Sequence, residues 1–518
     1  MLRGVRRVTE QSNKRSQTTV IGDATGLTEH NVVLFVPLDS YAFQQQLASA
    51  IYLMAQSELV PYFLLISEID HQFVDQLSEA RIPYSTLISV PQTGEGLDSS
   101  PSKQKPNHVG RGLFNELRGY RQLRQKHQVA KKLARSLTPI CAIVSQERPY
   151  QFLPVLKALK DLKIPTILML AADSSPDSTA WARRDDHFQK SVLKTPISAI
   201  LNRLVQSWLP SQIYNSPWGN VMFYPPSKIL LLRMMRMLPN NPWYQGTTFA
   251  DYIVISGSDE AAIYAEAKVE PSKLLYFGTH ELDILHENKL KDEQIRHELI
   301  DQHRLDSNKK ILIVSLPRLR EQALTSESVH WQAINDILDV LSRQNYNVMV
   351  SIHPNCDLSL YTWIEDKYQV QILRKPLQEI LVTADILVAS YSSTIRWAIG
   401  LGIPVINLDF WGFNWRLYKN LTGYQTVTSL AEFDELARNF GLNLKDDGVK
   451  SGAATVNQSP DQDPDLSYSN ELEKSGGGII VDGKAKERLL RFIQSIDFSN
   501  RPSAFGDKLP ANTGLSEN

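Results

Sequence analysis

Three stretches in the second half of the chain combine residue types that bind anions. Arg318 and Arg320 follow the apolar run 310–315, and a guanidinium offers a planar fork of donors that a lysine cannot copy. His353 and Pro354 follow a second apolar run, 348–352. An imidazole there can donate to an anionic oxygen, and the proline fixes the turn that aims it. Ser390, Ser392, Ser393 and Thr394, interrupted by Tyr391, follow a third run, 386–389, and precede a helical pattern closed by Gly400 and Gly402. Hydroxyls and free backbone N–H groups at the positive end of a helix make an anion site, usually for phosphate. Singly, each has a plainer reading: Ser392 or Ser393 as an N-cap, His353 as a structural histidine. Converging at three strand ends, they point to a nucleotide diphosphate.

A carboxylate at a strand end could also act as a general base, taking a proton from a bound reactant. The first half supplies Asp39, Glu147 and Asp173 after apolar runs. Glu147 leads, because Arg148 beside it would keep the carboxylate ionised. The plainer readings are an N-cap for Asp39, a turn residue for Asp173 and an ordinary surface pair for Glu147 and Arg148. Cys141 and Cys356 are the two cysteines and lie far apart in sequence. That argues against a disulfide scaffold or a cysteine metal site and suits a reducing compartment. No metal-ligand spacing appears, so no metal is expected.

Short apolar runs alternating with helical patterns must position these groups. Such alternation predicts parallel, doubly wound sheets, with ligands at the carboxyl ends of the strands. With 518 residues the chain exceeds a single core. The expected organisation is a disordered segment 1–29, a Rossmann-like domain 30–283 and a charged connector 284–308. A second Rossmann-like domain spans 309–442. A disordered insert, 443–477, a closing helix, 478–498, and a disordered tail, 499–518, complete the chain.

The formal net charge of −1 conceals two unlike halves. Residues 1–250 hold 28 Lys and Arg against 18 Asp and Glu, leaving 27 against 38 in the remainder. From Lys103 to Arg135 there are ten basic residues and one acid, Glu116. The insertion 187–250 has six basic residues, no acid, and scattered aromatics including Trp208, Trp218 and Trp243. It reads either as a helical subdomain packed on the first sheet or as a surface that contacts anionic membrane. A nucleic-acid surface is disfavoured because no base-stacking module is recognisable. The basic N-terminus lacks an apolar h-region, and no window approaches a spanning helix. The expected location is cytoplasmic, with room for peripheral contact at the inner face of the cell membrane.

The span 274–409 resembles the nucleotide-binding half of GT-B glycosyltransferases. His353-Pro354 with Ser390-Tyr391-Ser392-Ser393 is similar to the HP and DYSS motifs of CDP-glycerol glycerophosphotransferases and surface-polysaccharide transferases. Arg318 to Glu321 and His353 to Asn355 also resemble the non-hydrolysing UDP-N-acetylglucosamine 2-epimerases, and Gly402-Ile403-Pro404-Val405-Ile406 matches an element of the whole superfamily. The resemblance implies two Rossmann-like domains facing across a cleft, with the acceptor and any base on the first. It implies a nucleotide-activated donor, UDP- or CDP-linked, as substrate and no separate cofactor. The acceptor would be a glycan or a lipid-linked molecule. The chain departs from the pattern where Ser390 replaces an Asp and Trp397 replaces the Glu that bonds the ribose. Two alternatives stand beside the transferase: a 2-epimerase, disfavoured by Ser392-Ser393 and Trp397, and a GT-B-like scaffold without catalysis.

Overall fold

The computed structural model describes residues 18–21, 31–66, 71–89, 112–170, 175–186, 189, 196–321, 324–413, 416–443 and 478–496. Two sheets organise these residues. The first contains β1 (Thr18–Ile21), β2 (Val32–Val36), β3 (Val60–Leu65), β4 (Tyr84–Ser89), β5 (Cys141–Val144), β6 (Thr166–Met169), β9 (Tyr252–Val254) and β10 (Leu274–Leu275). Their order is β1-β4-β3-β2-β5-β6-β9-β10, parallel except where β1 joins β4. A separate antiparallel hairpin pairs β7 (Ile213–Ser216) with β8 (Gly219–Met222). The second sheet contains β11 (Lys310–Ser315), β12 (Tyr346–Ser351), β13 (Gln371–Ile372), β14 (Ile386–Ala389), β15 (Val405–Leu408) and β16 (Tyr424–Val427). It is wholly parallel, in the order β13-β12-β11-β14-β15-β16. Winding reverses between β2 and β5 and again between β11 and β14. Each reversal opens a crevice at the carboxyl ends of the strands, where ligands bind in such sheets.

The unbroken apolar runs follow from burial on both faces. In β2, Val32, Leu34 and Val36 enter one core while Val33 and Phe35 enter another on the opposite face. In β14, Ile386 and Val388 face one helical layer and Leu387 and Ala389 the other. The C-terminal helix Ala485–Ser495 returns to the first sheet, where Leu489, Leu490 and Ile493 pack with Val33 and Phe35. Asp283 fixes its start by accepting from the backbone N–H groups of Ala485 (2.8 Å) and Lys486 (3.2 Å). Two doubly wound domains thus face each other across a cleft, the architecture expected from the sequence.

Three expectations are corrected. The segment 1–29 is not structureless throughout, since the β-branched run Thr18–Ile21 adds an antiparallel edge to β4. The connector 284–308 includes the helix Asp292–His303, whose Leu299 is buried in the core under the second sheet. The insertion 187–250 is not wholly helical, because it contains the β7–β8 hairpin. Its Val205, Phe223, Ile229, Leu232 and Trp243 join the core of the first sheet. The tail 499–518 and, beyond Asn443, the insert 443–477 lie outside the described residues.

Candidate functional site

In the second sheet, Ser315 pairs with Ser351 on one side and with Ala389 on the other. The chain therefore leaves β11, β12 and β14 at one level, carrying Arg318, His353 and Ser390 beyond the same edge. His353 Nδ1 accepts the backbone N–H of Asn355 at 3.1 Å. A neutral imidazole accepts at only one nitrogen, so this bond leaves the ring proton on Nε2. Arg318 Nη1 lies 3.3 Å from that Nε2. Two donors thus face each other, an arrangement satisfied when an anionic oxygen sits between them. The ring edge is exposed, but desolvation of its inner side, and then the Arg318 guanidinium, push the pKa down to about 4. The imidazole is neutral at physiological pH.

Arg320 turns away from this pair. It bonds Glu321 at 2.9 Å and Glu327 at 3.4 Å and lies over the ring of Trp331. Ion-paired in this way, it supports the loop that carries Arg318. Pro354 is exposed beside His353. Ser390 is buried, and its hydroxyl has no partner among the described residues. Tyr391 turns the chain out of β14 with a left-handed φ of 49°. Ser392 Oγ lies 2.9 Å from Thr394 Oγ1 and accepts the Thr394 N–H at 3.3 Å. Ser393 is the N-cap of the helix Thr394–Gly400, without a side-chain capping bond.

The proposed bases of the first sheet fare differently. Glu147 is 1% exposed, and its carboxylate accepts from the backbone N–H groups of Gly246 (3.1 Å), Thr248 (3.4 Å), Phe249 (2.7 Å) and Ala250 (2.5 Å). Burial raises its pKa, opposed by these four bonds. A carboxylate so committed holds the 246–250 loop. Nor is the neighbouring Arg148 on the surface: it is buried, donates to Thr179 Oγ1 at 3.1 Å and lies over Phe223. Asp39 caps the helix Ser40–Gln56 through the Ala42 N–H at 2.9 Å. Asp173 lies outside the described residues.

Sequence reasoning did not bring together the groups that line the cleft. A cavity between the domains is bounded by Arg148, Trp243, Tyr244, Ser256, Glu260 and Arg396, among others. Trp243 and Ser256 are 2% and 1% exposed, and Trp243 Nε1 and Ser256 Oγ have no partner among the described residues. Arg396 is buried on the helix Thr394–Gly400 and reaches across to Glu260 (3.7 Å) and Glu281 (3.6 Å). Glu281 also accepts from Tyr41, Gln45 and Thr279, tying the first sheet's opening helix to the second domain. Trp397, where the resemblance implies a ribose contact, is 7% exposed and packs in the second domain's core. The lining groups carry no local signal of a shared site, because the cleft assembles them from segments as distant as Arg148 and Arg396.

No family model matches this chain, and no curated protein does. Similar solved structures include a UDP-GlcNAc 2-epimerase from Neisseria meningitidis bound to UDP-GlcNAc, at 13% identity and TM-score 0.45, covering 89% of this chain and 99% of that one. A glycosyltransferase from Rickettsia africae is similar at 12% identity and TM-score 0.45, covering 90% and 99%. The wall teichoic acid polymerase TagF is similar at 13% identity and TM-score 0.43, covering 90% and 88%.

Proposed function

We propose that this chain is a transferase that moves a sugar or polyol phosphate from a nucleotide-activated donor, UDP- or CDP-linked, to a surface-polysaccharide or lipid-linked acceptor. The observation that carries the reading is the pair of facing donors, His353 Nε2–H and Arg318 Nη1, 3.3 Å apart at the carboxyl edge beside a topological switch point. A diphosphate oxygen placed between them satisfies both. In sugar transfer, the bond from the donor's phosphate oxygen to the sugar carbon breaks as the acceptor oxygen bonds to that carbon. With a polyol phosphate, the acceptor oxygen bonds to phosphorus and the bond to the departing nucleotide breaks. Arg318 and His353 then stabilise the charge growing on the leaving group.

The acceptor's proton needs a base. Glu260 is the carboxylate lining the cavity between the domains, and we assign it that role in place of Glu147. Burial of Trp397 and the engagement of Glu147 favour a second reading, nucleotide binding without turnover. A 2-epimerase would interconvert its sugar without any acceptor. Incubation with UDP- and CDP-conjugates separates the three: acceptor-dependent nucleotide release, interconversion without acceptor, or binding alone. The first test is stabilisation against unfolding by UDP, CDP, GDP and ADP, with His353→Ala beside the parent. Absence of a shift with every nucleotide removes the proposal.

A further inference from the structure

The insertion that fills in the first sheet also presents an unusual outer surface. Among the described residues, four large apolar side chains are more than half exposed: Ile200 (58%), Trp208 (71%), Met234 (75%) and Leu290 (74%). The first three lie on neighbouring helices of the insertion, Pro196–Trp208 and Pro226–Met234, which pack against each other. The helix Pro226–Met234 packs in turn against the long helix Gly112–Leu137. Arg203, Arg233 and Arg236 are exposed on the same elements.

The long helix contributes a charged stripe. Arg121, Arg124, Gln128, Lys132 and Arg135 are exposed, while Leu123, Ala130, Leu133 and Leu137 are buried on the side facing the core. At 100° per residue the five exposed positions fall within an arc of about 80°, and they extend along about 21 Å of the helix. Asp161 neutralises the flank facing the next helix, pairing with His127, Lys131 and Lys157. None of Arg121, Arg124, Lys132, Arg135, Arg203, Arg233 or Arg236 forms an ion pair with a described residue.

Unopposed cations beside protruding Trp, Met and Ile match an anionic lipid surface. Its headgroups attract the arginines, and its acyl boundary accepts the apolar tips. Two other occupants fit worse. Stacking on successive bases needs several exposed rings, but apart from Trp208 the insertion's Phe223, Tyr224 and Trp243 are 3%, 7% and 2% exposed. A second copy of the chain would set one cationic stripe against another. We infer that the face formed by the helices Gly112–Leu137, Pro196–Trp208 and Pro226–Met234 docks on anionic bilayers, with Trp208 and Met234 entering the headgroup layer. This inference does not depend on the enzymatic reading, since the surface stands apart from the facing donors of the second domain.

The test uses the full chain and vesicles of phosphatidylcholine with or without phosphatidylglycerol. Binding is expected only with phosphatidylglycerol, weakening as salt is raised. The fluorescence should shift to the blue on binding, and the shift should shrink in Trp208→Phe. Reversing the stripe (Arg121→Glu, Arg124→Glu, Lys132→Glu, Arg135→Glu) should lower partitioning about 1,000-fold or more. Trp208→Glu with Met234→Glu should lower it about tenfold or more. All six positions are exposed, and unchanged unfolding midpoints would verify that the variants fold. Equal binding to both vesicle types, no binding at low salt, or full binding by Trp208→Glu/Met234→Glu would overturn the inference. So would tighter binding to a DNA duplex than to the anionic vesicles.

Discussion

Replacing His353 with alanine removes one of the two donors that face each other at the carboxyl edge of the second sheet. A hydrogen bond to a charged partner contributes about 1.5–3 kcal/mol, so the nucleotide dissociation constant should rise roughly 10- to 150-fold. At a ligand concentration one hundred times the parent's dissociation constant, the parent gains about 2.7 kcal/mol. A variant that binds a hundredfold more weakly gains only ~0.4 kcal/mol at the same concentration. Urea unfolding with and without UDP or CDP resolves that difference. The unliganded variant should unfold close to the parent, because His353 is exposed and the freed Asn355 N–H can turn to water. The pH dependence adds a second check. With a free-state pKa near 4 the imidazole is neutral throughout pH 6–8, so its contribution to affinity should be flat there. A bound anion raises that pKa, so affinity should climb only as pH falls towards about 5. An alanine variant that keeps the full ligand shift, or affinity that rises steeply between pH 8 and 6 in the parent but not in the variant, would refute the reasoning.

Four further outcomes test neighbouring parts of the structure. Glu147→Ala should cost at least about 3–5 kcal/mol, because it strands four buried amides; a stable Glu147→Gln that binds donor but loses all turnover would restore it as the base. Glu260→Gln should lower kcat by about 100-fold or more while leaving nucleotide affinity within about twofold, read by nucleotide release and calorimetry. Gly400→Ala places a Cβ 2.6 Å from Val481 Cγ2 and 3.2 Å from Ile479 Cγ2. It should cost about 1–3 kcal/mol in urea unfolding as the returning C-terminal segment is displaced. His280 is held near pKa 4 by burial and then by Lys486, below its ordinary 6.5. The unfolded chain therefore binds the extra proton first, and stability should fall as pH drops from 6.5 to 4, by up to roughly 3 kcal/mol. His280→Gln should flatten that slope in acid unfolding curves.

Alternating apolar runs were enough to place the two sheets and the common edge reached by Arg318, His353 and Ser390. Strands buried on both faces must be apolar at every position, so the runs at 310–315 and 386–389 coincide with β11 and β14. Parallel strands in register end at one level, which is why Arg318, His353 and Ser390, residues that follow three such runs, come to a common edge. Tertiary structure decided the rest. A carboxylate beside an arginine looks the same in sequence whether it faces solvent or a loop. Only folding showed Glu147 surrounded by the amides of 246–250 and Arg148 turned to Thr179. The same holds for Arg318 and Arg320, of which one meets His353 and the other Glu321. Most of the cleft residues were illegible because their meaning lies in contacts between distant segments, as when Arg396 crosses to Glu260 and Glu281. Side-chain type and local period set which backbone forms, but a guanidinium's partner is set by long-range packing, which no local window contains.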